Sequence, residues 1–366
     1  MPESVLQLLG PSTGGIRRHV GALADALEAG GWTVRVAGPA GVLDGIRTTD
    51  LVVPVPVGMQ PFQLSRAVRT LRRRLAEVEV VHAHGLKAGW VALLATKTRR
   101  RRTVVAVTVH NLVLDETTGR SIRFKRLLER QVFRRADALI AVSPEVGEYV
   151  NEHTARPVRV IRPLGPRPVA RRDTGDVRQS LGAKDRQPLI VCVARLHPQK
   201  GLTTLIEAAR LLVGRGVDVR VAIVGEGPSA AALERMIAGL GLEGTVVLAG
   251  PSENAPDELA AADVVVIPSV WESGPLVLSE ALLLVRPVVA TPVGFVPDVV
   301  RDRRSGRIVP IGDPRALADA IADVLADPEA AACMAQAGYA AVQRVLEPDT
   351  LVGATEALYR ELLQHQ

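Results

Sequence analysis

The segment PSVWESGPLVLSEAL sets two carboxylates, Glu272 and Glu280, eight positions apart around Ser273-Gly274-Pro275. Proline is favoured in a first helical turn, so a helix is expected from about 275, with Glu272 in the loop before it and Glu280 about a turn and a half inside. Free N–H groups at such a start attract an anion, and carboxylates accept hydrogen bonds from sugar and ribose hydroxyls. The plainer reading puts Glu280 on a solvated helix face and leaves Glu272 merely favouring the helix dipole. Upstream, VARLHPQKG carries Arg195 at a strand end and Lys200 in the loop that follows. A planar guanidinium and a compact ammonium there suit a diphosphate, although a surface lysine needs no ligand.

Near the start, GPSTGGIRRHV offers Gly14 and Gly15 before a helix beginning at about Ile16, where a backbone can approach a phosphate or carboxylate closely. A tight turn would use the same glycines. His82, His84 and His110 fall at predicted strand ends, which line the ligand crevice of a parallel sheet. His82-Ala83-His84 has the look of a metal pair, but no Cys, Asp or Glu stands at a ligand spacing beside it, so no metal is expected.

These residues need elements to hold them. In the first half, short apolar runs at 4–10, 33–38, 78–84, 103–110, 138–143 and 158–163 read as strands, with amphipathic helices at 16–30, 64–76 and 121–135 between them. Pro, Gly and charge over 164–188 interrupt the pattern. It then restarts, with strands at 188–195, 218–225, 245–250, 263–269 and 287–291. Helices are expected at about 201–214, 229–240, 275–284 and 314–326, and a helical tail from about 328. Such alternation predicts two doubly wound Rossmann-like α/β domains facing across a cleft. The boundaries expected are 1–170, 171–345, and a last helix over 346–366 that returns to the first domain.

Composition narrows the class. The chain has 366 residues, 47% hydrophobic and 23% charged, which suits a globular protein and excludes collagen-like, coiled-coil and disordered classes. Cys192 and Cys333 stand far apart without metal spacing, as in a reducing cytosol, and neither a secretion signal nor a membrane span is evident. A cytoplasmic location is expected. Residues 1–183 carry 29 Lys and Arg against 16 Asp and Glu, a formal +13, whereas residues 184–366 carry 16 against 23, a formal −7. A basic first half suggests an anionic partner, although Arg supplies 40 of the 45 cations and codon bias alone can raise Arg.

Taken together, the segments GGIRRHVGALADALEAGGWTVRV, VVHAHG, TVHN, ADALIAVS, VARLHPQKG, VGEGP, ADVVVIPS, Glu-x7-Glu and SGRIVPIGDPRALADAI resemble, in order and spacing, the retaining nucleotide-sugar glycosyltransferases of family four. The resemblance covers nearly the whole chain. It implies the GT-B fold and transfer of a hexosyl group from a nucleoside-diphosphate sugar to an acceptor hydroxyl with retained configuration. A nucleotide-sugar epimerase of the same fold and a non-catalytic nucleotide-sugar binder are the alternatives.

By that resemblance Arg195 and Lys200 hold the donor diphosphate, Glu280 the ribose and Glu272 the transferred sugar, while Ser273, Gly274, Pro275 and Leu276 complete the donor site, through the N–H groups of the stretch from Gly274 to Leu276. Gly14 and Gly15 approach the phosphates and acceptor, and His110 sits against the sugar near the reacting carbon. Arg17, Arg18, His19 and His84 are the acceptor candidates. No cofactor or metal is implied, since cations and helix ends stabilise the leaving diphosphate. The arginines of the first domain, among them Arg66, Arg69, Arg72, Arg73 and Arg74, the Arg99–Arg102 run, and Arg123, Lys125, Arg126, Arg130, Arg134 and Arg135, suggest a peripheral enzyme on the inner face of an anionic membrane. Its acceptor would be a lipid or a phosphorylated small molecule. Nucleic acid is not expected, because aromatics are 3% of the chain.

Four segments depart from the family pattern. Val285 stands where glycine is common, a double glycine is reduced to Gly294-Phe295, GPSENAPDELAAAD is short, and Pro163-Leu164-Gly165 replaces an Asn-Gly. Arg195, Lys200 and both glutamates are untouched by these changes.

Overall fold

A computed structural model describes residues 3–12, 14–47, 49–56, 60–97, 103–111 and 120–364. The chain divides into two compact units, Met1–Pro166 with Pro348–Gln366, and Arg167–Glu347.

Seven parallel strands build the sheet of the first unit: β1 (Ser4–Leu9), β2 (Thr33–Gly38), β3 (Thr49–Val52), β4 (Val80–His84), β5 (Val104–Val109), β6 (Ala138–Ala141) and β7 (Val158–Val160). Their order is β3-β2-β1-β4-β5-β6-β7. Helices cover both faces, so the strands are almost continuous runs of Val, Leu and Ala rather than alternating ones. The helix Gly15–Ala29 follows β1 and is amphipathic, burying His19, Val20, Leu23, Ala24 and Leu27. The last helix, Pro348–Gln364, belongs to this unit and packs beside it, with Arg360 paired to Glu3 at 3.0 Å and Tyr359 fully buried.

Six parallel strands form the second sheet: β8 (Leu189–Val193), β9 (Arg220–Val224), β10 (Val246–Gly250), β11 (Val264–Ile267), β12 (Val288–Ala290) and β13 (Arg307–Ile308), in the order β10-β9-β8-β11-β12-β13. Alternate residues of β8 enter different cores. Ile190 and Cys192 join one cluster with Leu205, Ile206 and Ile321, whereas Leu189 and Val191 join another with Leu278, Leu282 and Phe295. Two parallel-sheet Rossmann-like units are therefore present.

Short elements escape the sequence pattern. Strands β3 and β13, of four and two residues, lie at sheet edges where little apolar signal is required. The helices Leu86–Thr96, Pro144–His153 and Ala255–Ala261 were not expected, and Thr174–Ser180 forms a helix inside the segment read as irregular. Asp173 explains the last of these by accepting hydrogen bonds from the N–H groups of Gly175 and Asp176.

Val285 has φ 55. It stands just beyond the helix Leu276–Leu283, where the Val285 N–H reaches the Leu282 carbonyl and the Arg286 N–H reaches that of Ala281. This is the helix-ending turn in which a left-handed residue is required, and glycine takes it at least cost. A valine at this position thus carries local strain. Phe295, next to Gly294, is fully buried in the second-unit core.

Candidate functional site

In a doubly wound sheet the ligand crevice lies at the carboxyl ends of the strands where the order reverses. In the second unit that point is between β8 and β11. The loop after β8 carries Arg195 and Lys200, and the loop after β11 carries Glu272 to Pro275, so the topology brings both expected constellations to one end of one sheet.

Lys200 and Glu272 form an ion pair, and the Ser269 hydroxyl donates to the same carboxylate oxygen of Glu272 at 2.9 Å. Further hydrogen bonds to main-chain carbonyls hold the two loops, one from a backbone N–H and two from the side chains of Gln199 and Thr291. The Val270 N–H donates to the Gln199 carbonyl at 2.8 Å, the Gln199 amide to the Trp271 carbonyl at 2.9 Å, and Thr291 Oγ1 to the Ser269 carbonyl at 2.6 Å. Gly201, immediately after Lys200, has φ 62, and a Cβ there would overlap the Pro268 carbonyl. Only glycine lets the lysine loop lie so close to the glutamate loop. From the other side Gly294 (φ 58) packs under the turn, where a Cβ would meet Glu272 O at 3.0 Å.

Glu272 is 8% exposed and Glu280, inside the helix Leu276–Leu283, is 1% exposed. This corrects the plainer reading of Glu280, which does not lie on a solvated helix face. Pro275 precedes the helix and has no N–H. The backbone donors at this start are therefore those of Gly274, Leu276 and Val277, with the Leu278 N–H already bonded to the Pro275 carbonyl. Ser273 and Gly274 are half-buried. Arg195 is exposed and makes no ion pair among the described residues.

In the first unit the order reverses between β1 and β4. The loop after β1 ends at Gly14, and Gly15 opens the helix that carries Arg17 and Arg18; both glycines are exposed, and Thr13 of the loop lies outside the described residues. His84 ends β4 and His110 follows β5. The register places Gln7 beside His82 and His84 beside Thr108, so with two-residue periodicity Gln7, His82, His84, Thr108 and His110 share one face. The helices bearing His19 and Tyr359 pack together in this unit and supply two more polar groups.

All these side chains are buried. His19 Nδ1 lies 3.0 Å from the Leu164 carbonyl; His84 Nδ1 lies 3.1 Å from His110 Nε2 and its Nε2 2.8 Å from Gln7 Oε1. Gln7 Nε2 lies 3.1 Å from the Tyr359 hydroxyl, which lies 2.6 Å from His82 Nδ1, and His82 Nε2 lies 2.6 Å from Thr108 Oγ1. Burial lowers His19 to about 4, against the hydrogen bond to Leu164, and lowers His82 to about 3, helped by the charge of His19. Burial, with neighbouring imidazoles adding to it, holds His84 and His110 well below the ordinary histidine value. Four neutral imidazoles result near neutral pH.

His19 and His84, expected beside an acceptor, are 6% and 2% exposed, and both ring nitrogens of His84 are engaged inside the unit. One ring nitrogen from each of His19, His84 and His110 lies within 4.8 Å of the others, a grouping that spacing along the chain did not reveal. Gln7, Thr108, Ser269 and Tyr359 were also missed, although a glutamine inside an apolar strand is a visible signal.

The Arg99–Arg102 run and the side chain of Arg123 lie outside the described residues. Arg66, Arg69, Arg72, Arg73 and Arg74 are exposed on the helix Pro61–Arg74, which also bears Phe62 at 82% exposure. Arg72 is committed locally, donating to the carbonyls of Ala95 and Leu94 at 3.2 and 2.8 Å. Among the described residues no helix is long and apolar enough to cross a membrane.

The family description "Glycosyl transferases group 1" matches residues 173–341, and "Glycosyl transferase 4-like domain" matches residues 14–165. A D-inositol 3-phosphate glycosyltransferase of Corynebacterium urealyticum is 32% identical, over 80% of this chain and 76% of its own. A GDP-mannose-dependent alpha-(1-6)-phosphatidylinositol monomannoside mannosyltransferase of Mycolicibacterium smegmatis is 34% identical, over 73% of this chain and 66% of its own. Among solved structures, a sucrose-phosphate synthase from Thermosynechococcus elongatus matches with TM-score 0.82 and 23% identity over 100% of both chains. Anabaena Alr3699/HepE in complex with UDP and glucose matches with TM-score 0.82 and 22% identity, over 98% of this chain and 100% of its own. At those identities the structural likeness is one of fold.

Proposed function

The chain belongs to the family-four glycosyltransferases of GT-B fold, and from that premise we propose that it moves a hexosyl group from a nucleoside-diphosphate sugar to an acceptor hydroxyl, retaining the configuration at C1. The observation that carries this reading is the pair of buried carboxylates flanking a helix start, with Lys200 drawn in beside Glu272 and the free guanidinium of Arg195 on the same loop.

Breaking the bond from C1 to the phosphate oxygen puts negative charge on the leaving diphosphate and positive charge on the sugar ring. Arg195, Lys200 and the N–H groups of Leu276 and Val277 offset the first. A preorganised donor of this kind is worth about 3–4 kcal/mol, or a factor of about 100–1000 in rate. Glu280 accepts hydrogen bonds from the ribose and Glu272 from the sugar, so that Glu272 exchanges part of its contact with Lys200 for the donor. In the first unit Gly14 and Gly15 serve phosphate and acceptor, and His110, being neutral, serves the sugar as a hydrogen-bonding group rather than as an acid. The leaving phosphate oxygen assists removal of the acceptor's proton, and no metal takes part.

The acceptor proposed is a lipid or a phosphorylated small molecule, with Arg17 and Arg18 as its cations. The two relatives named above support this, one named for inositol 3-phosphate and the other for a phosphatidylinositol mannoside. The anionic inner face of a membrane is the surface proposed for the helix Pro61–Arg74.

Thermal stabilisation by UDP, GDP and ADP, followed by turnover of the matching sugar nucleotides, tests the donor reading. Lys200→Ala and Arg195→Ala are each expected to lower transfer by about two orders of magnitude while the fold persists. Near-wild-type transfer in both would refute diphosphate binding at this loop.

A further inference from the structure

The buried polar chain of the first unit has a direction. The Gln7 amide nitrogen can only donate and its oxygen can only accept, so the contact with Gln7 Oε1 requires a proton on His84 Nε2. A neutral His84 then has a bare Nδ1, and the 3.1 Å contact there requires that His110 Nε2–H be the donor. His110 Nδ1 is left as an acceptor. On the other side the Gln7 amide donates to the Tyr359 oxygen, the Tyr359 hydroxyl donates to His82 Nδ1, and His82 Nε2–H donates to Thr108 Oγ1. Each of these five contacts pairs one donor with one acceptor, and the order of protons along all of them hangs on which way one amide faces.

We propose that Gln7, His84 and Tyr359 are positioning residues that hold His110 in a single tautomer, with Nε2–H turned to His84 and Nδ1 presented as the acceptor for a sugar hydroxyl. The hydroxyl rests on the transferase reading above; the tautomer does not. A group left unpaired in this layer would bear the desolvation cost of burial with nothing in return, so the five contacts hold one another in place and His110 Nδ1 is the end that a ligand would satisfy. The arrangement also answers the proximity of His19, His84 and His110. A metal there would need a ring nitrogen of His84, and both are already spent on Gln7 and His110. Tyr359 brings the last helix into the same chain, so a residue 249 positions after His110 helps to set how that ring is held.

Selective 15N labelling of histidine in the full chain, with long-range 1H–15N correlation at pH 7.5, tests this on only seven rings. His82, His84 and His110 are expected as neutral Nε2–H tautomers. His19, whose Nδ1 faces a carbonyl, is expected as Nδ1–H and serves as the contrast within the same spectrum. Gln7→Glu gives the sharpest variant. A carboxylate accepts from both His84 and Tyr359, so the tyrosine must then receive from His82, which moves to Nδ1–H while His84 and His110 stay Nε2–H. Tyr359→Phe frees the Gln7 amide to turn over, and His84 and His110 should then show both tautomers. On whichever of UDP-glucose and GDP-mannose the wild type turns over, Gln7→Met is expected to lower kcat at least about tenfold with unchanged affinity for the free nucleoside diphosphate. An Nδ1–H tautomer at His84 or His110 in the wild type, one equivalent of tightly bound zinc, or full kcat in folded Gln7→Met would each overturn the proposal. Failure to turn over any sugar nucleotide would sink the transferase reading and leave the wild-type tautomers to decide this one.

Discussion

Acid should unfold the first unit before the second. His19, His82, His84 and His110 are all buried in the first unit with values depressed by desolvation, to about 4 for His19 and about 3 for His82. Unfolding returns each to its ordinary value near 6.5, so between there and about pH 4 the unfolded chain binds protons that the folded unit refuses. Their contribution is complete above pH 6.5 and is lost as pH falls towards the folded values. One fully refused proton costs about 1.4 kcal/mol per pH unit, so His19 alone removes about 3 kcal/mol by pH 4, and four such rings remove up to about 5 kcal/mol per pH unit near pH 5.5. Against a typical stability of about 5–15 kcal/mol, the reserve is exhausted within about one to three pH units.

The second unit supplies a control, since His197 is its single histidine. Urea unfolding at fixed pH values from 7.5 to 4.5, read by tryptophan fluorescence, separates the two units. Trp32, buried against Tyr359, reports on the first, and Trp271 on the second. The first transition should move steeply to lower urea below pH 6.5 while the second moves little. His82→Gln, which keeps a donor and an acceptor, should remove about one quarter of the slope. A first transition flat from pH 7.5 to 5, or four histidines titrating near 6.5 in the folded chain, would refute the reasoning.

Val285→Gly should stabilise the second unit by about 0.5–1 kcal/mol, relief of left-handed strain outweighing glycine's entropy, and a lowered urea midpoint would count against the strained turn. Gly201→Ala should abolish nucleoside-diphosphate binding in calorimetry and destabilise the second unit by more than about 2 kcal/mol, because the Pro268 carbonyl must move; wild-type affinity would show that the two loops need not touch. Glu280→Gln should weaken binding of the free nucleotide and Glu272→Gln should act on sugar transfer; unchanged nucleotide affinity in the former would remove the ribose assignment. Transfer should survive exhaustive chelation, and its loss with recovery on adding a divalent ion would reverse the metal-free mechanism. Sedimentation with anionic liposomes should rise with anionic lipid, fall with salt and weaken in Arg73→Ser/Arg74→Ser, the variant chosen because Arg72 also holds Leu94 and Ala95; indifference to all three would leave the basic helix without a membrane role.

What the sequence could and could not reveal follows from range. Parallel strands covered on both faces must be apolar runs, so those from Ser4–Leu9 to Val288–Ala290 stand out locally, whereas the edge pieces Thr49–Val52 and Arg307–Ile308 have too few residues to form a pattern. Within the site, Arg195, Lys200, Glu272 and Glu280 are visible because each pair sits on one continuous segment. That the pairs meet is a property of strand order, since β8 and β11 are neighbours although over seventy residues separate Lys200 from Glu272. The buried chain in the first unit is hidden for the same reason more strongly: Gln7, His84, His110 and Tyr359 come from four separate parts of the chain, and although the glutamine and the histidines each stand out, nothing local shows that they meet. His84 shows the consequence. At a strand end it reads as a ligand of the crevice, yet both of its ring nitrogens are engaged inside the unit, by residues 77 positions before and 26 after. A polar residue at a strand end is therefore a candidate contact for substrate only after its partners within the fold have been counted, and that count removes His84.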